Sequence, residues 1–160
     1  MSVGLVQGRV GGMVDGYDLS VEFDGRRISG RMGGRYLGKT IAWTLDQGRL
    51  TGRWGGRIQG RNIEATIADG TLRGRFGGRF DGRDIAISER YGHITGRCGG
   101  AVVGFDVDLS PADGRLSGRL GGTVDGKDVA AEVRNLDVLV AAALVCAVKA
   151  ELDLRRRRRN

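Results

Sequence analysis

The sequence predicts a mainly β protein: a closed twelve-stranded antiparallel barrel of six 22-residue, two-stranded repeats around a C-terminal apolar α-helix. Three observations carry this. Gly-Arg recurs at Gly8, Gly30, Gly52, Gly74, Gly96 and Gly118, each time followed by one variable residue and Gly-Gly. Within each repeat, apolar and polar residues alternate with the period of a half-buried strand. Finally, Val138 to Val148 is built from Ala, Val, Leu and Cys, with no polar side and no Gly or Pro. A helix that is apolar all round must be enclosed on every side. An open β-solenoid or meander capped by the helix is the alternative architecture. Closure is favoured because the chain stops at twelve strands and then supplies a rod with no polar face.

The strands run from about Val3 to Val133. In the third repeat, Leu50, Gly52, Trp54, Gly56 and Ile58 share one face, and Thr51, Arg53, Gly55 and Arg57 the other. The strand that follows places Ile63, Ala65 and Ile67 together, opposite Asn62, Glu64 and Thr66. Asp15-Gly16, Asp24-Gly25, Asp69-Gly70, Asp81-Gly82, Asp113-Gly114 and Asp125-Gly126 are short-hairpin signals, because both central residues of a type I′ turn need positive φ. Two glycines per long strand, the first and last of Gly-Arg-x-Gly-Gly, fall on the inner face. They are expected to suit a strongly curved sheet whose concave side approaches the helix, since glycine within a strand marks a bend or the close approach of another backbone.

The helix is expected over about 136–152, with Asn135 as N-cap, Asp137 in the first turn and Lys149 near the C-terminal end of the dipole. About 17 helical residues span roughly 25 Å. Strands of eight to ten residues tilted by about 40° give a wall of similar height. Residues 1–154 therefore read as one domain and 155–160 as a basic tail.

Twelve antiparallel strands followed by Asn135-Leu136-Asp137-Val138-Leu139-Val140-Ala141-Ala142-Ala143-Leu144-Val145-Cys146-Ala147-Val148 resemble the tubby C-terminal-domain-like barrel of tubby, phospholipid scramblase-type and LURP-one-related proteins. The resemblance implies that the helix threads the barrel, and it accords with peripheral contact to anionic lipid. The Gly-Arg-x-Gly-Gly repeat is not a hallmark of that superfamily. No acidic metal-binding segment, membrane span or cysteine-rich acylation patch follows the helix, and no phosphoinositide-binding residue of tubby maps onto a matching motif.

At 160 residues, with 40% apolar content, the chain is long enough to bury a core despite its 30 glycines. The formal charge is +7; removing Arg155 to Arg159 leaves +2, so basicity is concentrated in the tail. Met1 to Gln7 has neither the charged nor the apolar region of a secretory leader. Cys98 and Cys146 occupy apolar positions and read as buried thiols in a reducing, cytoplasmic setting, with a disulfide between them the minor alternative. His93, the single histidine, has no catalytic partner in the pattern, and one His with two distant Cys makes no zinc set. Gly-Arg-x-Gly-Gly lacks the strand-to-helix junction of a phosphate loop and the Asp slots of calcium-binding nonapeptides. The expectation is a protein that is not an enzyme and holds no metal or cofactor.

Two basic features are candidate anion sites. The first is an outward ladder of Arg9, Arg31, Arg53, Arg75, Arg97 and Arg119, joined by Arg35, Arg57 and Arg79. Interleaved with Trp54, Phe76 and Phe80 it resembles an RGG-type nucleic-acid segment. The competing reading turns the aromatics inward and pairs the arginines with Asp18, Asp84, Asp106, Asp128, Glu22 and Glu132. The near-neutral body favours that pairing. The second is the tail, Arg155, Arg156, Arg157, Arg158 and Arg159, whose alternatives are a solvated, disordered end, an anionic membrane surface and a nucleic-acid backbone. A transmembrane anchor is disfavoured, because the clean apolar run is well short of about 20 residues. The expected function is a binding or scaffold barrel, cytoplasmic and peripheral at an anionic membrane through its tail. Nucleic-acid binding by tail and ladder, or a purely structural or protein-interaction barrel, are the alternatives.

Overall fold

A computed structural model describes residues 3–34, 38–55, 60–77, 82–100, 104–121 and 126–159, the last five as backbone. Twelve strands precede one helix: β1 (Gly4–Gly11), β2 (Gly16–Phe23), β3 (Arg27–Gly33), β4 (Gly38–Asp46), β5 (Arg49–Trp54), β6 (Arg61–Ala68), β7 (Thr71–Phe76), β8 (Arg83–Arg90), β9 (His93–Gly99), β10 (Gly104–Ala112), β11 (Arg115–Leu120), β12 (Lys127–Arg134) and α1 (Val138–Arg159). Each strand pairs antiparallel with the next, and β1 pairs with β12 from Leu5–Arg134 to Val10–Val129. The barrel is closed, which removes the exposed edges that a meander would carry.

Alternation decides which side chains face in. Leu50 and Trp54 of β5, Ile63 and Ala65 of β6, and Leu72 and Phe76 of β7 are buried, while Arg53, Glu64 and Arg73 between them are exposed. From Leu139 to Leu152 every residue of the helix is buried. Its contribution is small: Ala141, Ala142, Ala143, Ala147 and Ala150 leave volume that the wall fills with Trp43, Trp54, Phe76, Met32 and branched aliphatics. Trp43 and Trp54 lie 6.0 Å apart between ring centroids, and Trp54 meets Phe76 edge-on at 5.3 Å. Large side chains on the wall against small ones on the rod satisfy the demand for native packing density.

The inner glycines serve the curvature of the sheet, but the backbone they let in is a neighbouring strand and not the helix. A Cβ built on Gly74 would meet Glu64 O at 2.1 Å and Ala65 Cα at 2.5 Å; one on Gly30 would meet Ser20 O at 2.0 Å and Val21 Cα at 2.6 Å. Gly8, Gly52, Gly96 and Gly118 likewise meet the backbone of the strand before them around the barrel, and no helix atom is among the nearest neighbours of any of the six. They permit close strand-on-strand coiling rather than clearance for the helix. The first glycine of each motif is used this way. The last one falls beyond the strand at Gly12, Gly34 and Gly100, while Gly56 and Ile58 lie outside the described residues.

The turns follow the hairpin prediction at one rim. Asp69-Gly70 has φ of 54° and 74°, Asp113-Gly114 has the same pair, and Gln47-Gly48 and Tyr91-Gly92 adopt the same conformation without Asp. Asp24-Gly25 sits in a three-residue connection in which the Asp24 carboxylate accepts the amides of Arg26 and Arg27 at 2.9 and 2.7 Å. The backbone amide of Arg27, then that of Arg26, holds the Asp24 carboxyl below its usual range. Asp15-Gly16 belongs instead to the longer connections of the opposite rim; Asp81 and Asp125 are outside the described residues.

The helix also departs from expectation at both ends. Asn135 has φ of 49° and lies in the turn, and Asp137 is the cap, its carboxylate accepting the Leu139 amide at 2.8 Å. At the other end α1 continues past the expected stop at about 152, so residues 155–159 are helical backbone rather than a disordered tail.

Candidate anion-binding end of the barrel

The helix enters at the rim of two-residue turns and leaves at the rim formed by the Gly-Gly connections. Two ion pairs establish the exit. Lys39, near the start of β4, reaches Glu151 Oε2 at 3.0 Å, and Arg83, the first residue of β8, reaches Asp153 Oδ2 at 3.3 Å. Trp54, the last residue of β5, donates its indole N–H to Glu151 Oε1 at 3.0 Å. Lys149 Nζ lies 2.5 Å from Asp153 Oδ1 and 5.1 Å from the centroid of the Phe105 ring. Lys149 and Glu151 are 3% and 4% exposed, so each would be costly without its partners. Three cations, Lys39, Arg83 and Lys149, share two carboxylates, Glu151 and Asp153, so each cation touches a carboxylate while the cluster keeps one net positive charge. With Trp54 and Phe105 it clamps the helix to β4, β5, β8 and β10.

Of these clamp residues sequence reasoning singles out Lys149, as a cation at the helix end, and Trp54, as an inward-facing aromatic, but not Lys39, Arg83 or Glu151. The available signal was one repeat slot. The residue after each post-loop glycine is Tyr17, Lys39, Arg61, Arg83, Phe105 and Lys127, so four of six positions at this rim are cationic. Lys127 reaches Asp15 at 2.7 Å.

The arginine ladder is neutralised where its register allows. Arg9–Asp18, Arg75–Asp84, Arg97–Asp106 and Arg119–Asp128 are cross-strand ion pairs of 2.7 to 2.9 Å. Arg31 faces Thr40 and Arg53 faces Asn62 at the corresponding positions. Glu132 pairs with Arg134. The ladder arginine also closes its own loop. Arg9 donates to Gly12 O from Nη2 at 2.8 Å, and Arg97 to Gly100 O at 2.7 Å. In these two repeats one guanidinium thus ties the last glycine of its own motif to the Asp of the next strand. Trp54 and Phe76 are buried, so the described aromatics are not interleaved with the ladder outside. Arg35, Arg57, Arg79 and Phe80 lie outside the described residues.

The remaining candidates make contacts within the barrel. His93 Nε2 lies 2.5 Å from Asp108 Oδ1 and its Nδ1 3.2 Å from Ser110 Oγ, both across the β9–β10 pair. Cys98 and Cys146 are free and buried. Burial pushes the Cys98 thiol up to about 12, and burial, then the neighbouring Cys98, raises Cys146. Among the described residues there is no group of three or more metal-ligating side chains. No helix among them is long and apolar enough to cross a membrane. A shallow hollow of about 260 Å³ lies at the entry rim beside Pro111, Asp113, Arg115, Val133, Leu136 and Val138. Its lining mixes apolar Val133, Leu136 and Val138 with the charged Asp113 and Arg115 of the β10–β11 turn.

Arg155 to Arg159 lie where the helix backbone passes beyond the clamp. The run of five arginines thus extends past a rim whose cations Lys39, Arg83 and Lys127 are already held by carboxylates, as four of the six ladder arginines are on the wall. No family model matches the chain, and no curated protein or solved structure matches it at a significant level.

Proposed function

We propose that this protein is a non-enzymatic binding module that docks on an anionic lipid surface at the cytoplasmic side of a membrane through Arg155, Arg156, Arg157, Arg158 and Arg159. The observation that carries the reading is the unbroken continuation of α1 to Arg159 beyond a clamp in which each cation is already held by a carboxylate. The arginines are thereby presented on a rod whose base is fixed to the barrel. Each basic residue at an anionic surface contributes about 1 kcal/mol, so five suffice for reversible attachment. Pairing of the ladder argues against a nucleic-acid groove on the wall, since four of its six arginines already hold an Asp. The kinship to tubby-like barrels is part of the same proposal, supported by the shared plan of a barrel around its C-terminal helix.

Co-sedimentation with phosphatidylserine-containing and pure phosphatidylcholine vesicles tests this, using the full chain and a 1–154 truncation. The full chain is expected to bind only the anionic vesicles, to detach as salt shortens the Debye length to about 3 Å near 1 M, and to lose binding on truncation. Equal binding by the truncation, or preference for homopolymer RNA over the vesicles at matched salt, overturns it.

A further inference from the structure

The β1–β2 connection, residues 12–15, stands at the same rim as the helix exit and is held at both ends. Arg9 donates to Gly12 O from Nε at 3.2 Å and from Nη2 at 2.8 Å, and to Met13 O at 3.4 Å. Asp15 is held by Lys127 at 2.7 Å. With the backbone tied back on one side and the carboxylate on the other, the side chains between them are left at the tip. Met13 and Val14 are 96% and 100% exposed, two of only four large apolar side chains exposed among the described residues. The other two, Val3 and Tyr91, belong to the entry rim.

An adjacent pair of apolar side chains held out into water by three polar anchors gains nothing for the fold. The repeat shows that this is not an isolated substitution. The slot of Val14, two residues after Gly-Gly, holds Tyr36, Ile58, Phe80, Val102 and Val124 in the other five repeats, all of them outside the described residues.

We infer that Met13 and Val14 form a membrane-inserting wedge, so that the barrel stands end-on with its exit rim against the bilayer and its entry rim in water. The inference rests on the lipid reading above and adds an orientation and a second, salt-resistant contribution to it. Charge complementarity selects the occupant: an apolar tip beside five arginines fits an anionic interface, where apolar side chains enter the acyl boundary and cations stay with the headgroups.

The test places an environment-sensitive nitrobenzoxadiazole label on Val14→Cys and, separately, on Tyr91→Cys at the opposite rim. Both positions are fully exposed and the native thiols are buried, so labelling is selective and the fold is undisturbed. With phosphatidylserine vesicles, emission at position 14 is expected to rise and shift to the blue, while position 91 does not change. Unlabelled Met13→Ser/Val14→Ser should bind roughly tenfold more weakly with an unchanged salt slope. Vesicle binding with no change at 14, or with a change at 91, overturns the wedge and leaves the lipid reading standing. Failure of the unlabelled full chain to bind anionic vesicles removes the lipid reading and the wedge with it.

Discussion

At the rim where the helix enters, strands are joined mostly by two-residue turns, the helix is capped by a single Asp137, and the surrounding charges lie at the surface. At the rim where it leaves, the connections run to four or six residues, the helix carries Lys149, Glu151 and Asp153, and wall cations reach inward to meet them. Both rims are built from the same 22-residue unit. The difference teaches where a regular repeat keeps its freedom. A type I′ turn allows almost no variation in length or conformation, so the entry rim is occupied by fold. The Gly-Gly connections carry varied residues in the sequence, and where Arg9 and Arg97 hold the Gly12 and Gly100 carbonyls the backbone is fixed without help from the side chains between, so this rim can be charged, apolar or both.

The largest expected effect comes from two tryptophans 6.0 Å apart. Trp54 gives its indole N–H to Glu151, whereas Trp43 is 1% exposed and its indole N–H has no partner among the described residues. Trp54→Ala should cost about 3–5 kcal/mol in urea unfolding, combining a large cavity with a buried carboxylate that has lost a donor. The sharper comparison is to phenylalanine. Trp54→Phe should cost about 1–3 kcal/mol more than Trp43→Phe, because only the first leaves an acceptor under-satisfied. Equal losses would mean that the clamp at the exit rim contributes no more than packing does.

Next in size is an alkaline transition. Cys98, one residue before the end of β9 on the exit side, has its thiol pushed from 9.0 to about 12 by burial. A raised thiol pKa means that the folded state keeps a proton which the unfolded state releases. Stability from this group is therefore whole below about pH 9 and is lost progressively as pH rises from 9 to 12, at up to roughly 1.4 kcal/mol per pH unit. Cys146 acts in the same direction. Replacing Cys98 with Ala should flatten the decline relative to the parent in thermal melts across that range. An unchanged slope would show that the thiol is not sealed.

Much of the wall is legible in the sequence because its cause is local. Alternation in β5 and β6, the period of the repeat and the Asp69-Gly70 and Asp113-Gly114 turns each depend on neighbours in the chain, and closure follows from a rod with no polar side. What escapes a sequence reading depends on distant partners. The purpose of Gly74 lies in the backbone of Glu64 and Ala65 across a coiled pair, and nothing in Gly-Arg-x-Gly-Gly distinguishes that neighbour from the helix. Lys39 and Glu151 meet only after the whole barrel has closed. A charged residue after an apolar run also reads as the end of a buried helix, which is why the sequence points to a stop near 152 rather than at Arg159. Charge counting resolves the ladder: a body near +2 leaves little room for unpaired arginines, and the Asp18, Asp84, Asp106 and Asp128 pairs bear that out.

The smallest effect separates the rims most directly. Tyr91 holds φ of 54° in a turn whose counterparts at the same rim are Gln47, Asp69 and Asp113. Its ring is fully exposed, so it offsets none of the steric cost that a left-handed conformation imposes on an L-residue. Asn tolerates that conformation, and Tyr91→Asn should stabilise the barrel by about 0.5–1 kcal/mol. Val14, equally exposed at the other rim, is not in the positive-φ region, and Val14→Asn should leave stability within about 0.5 kcal/mol of the parent. Urea titrations of the two variants side by side read this directly. A gain at 91 with none at 14 is what a turn-limited entry rim and a conformationally free exit rim require; a gain at both would mean that exposed apolar tips, rather than turn geometry, set the difference.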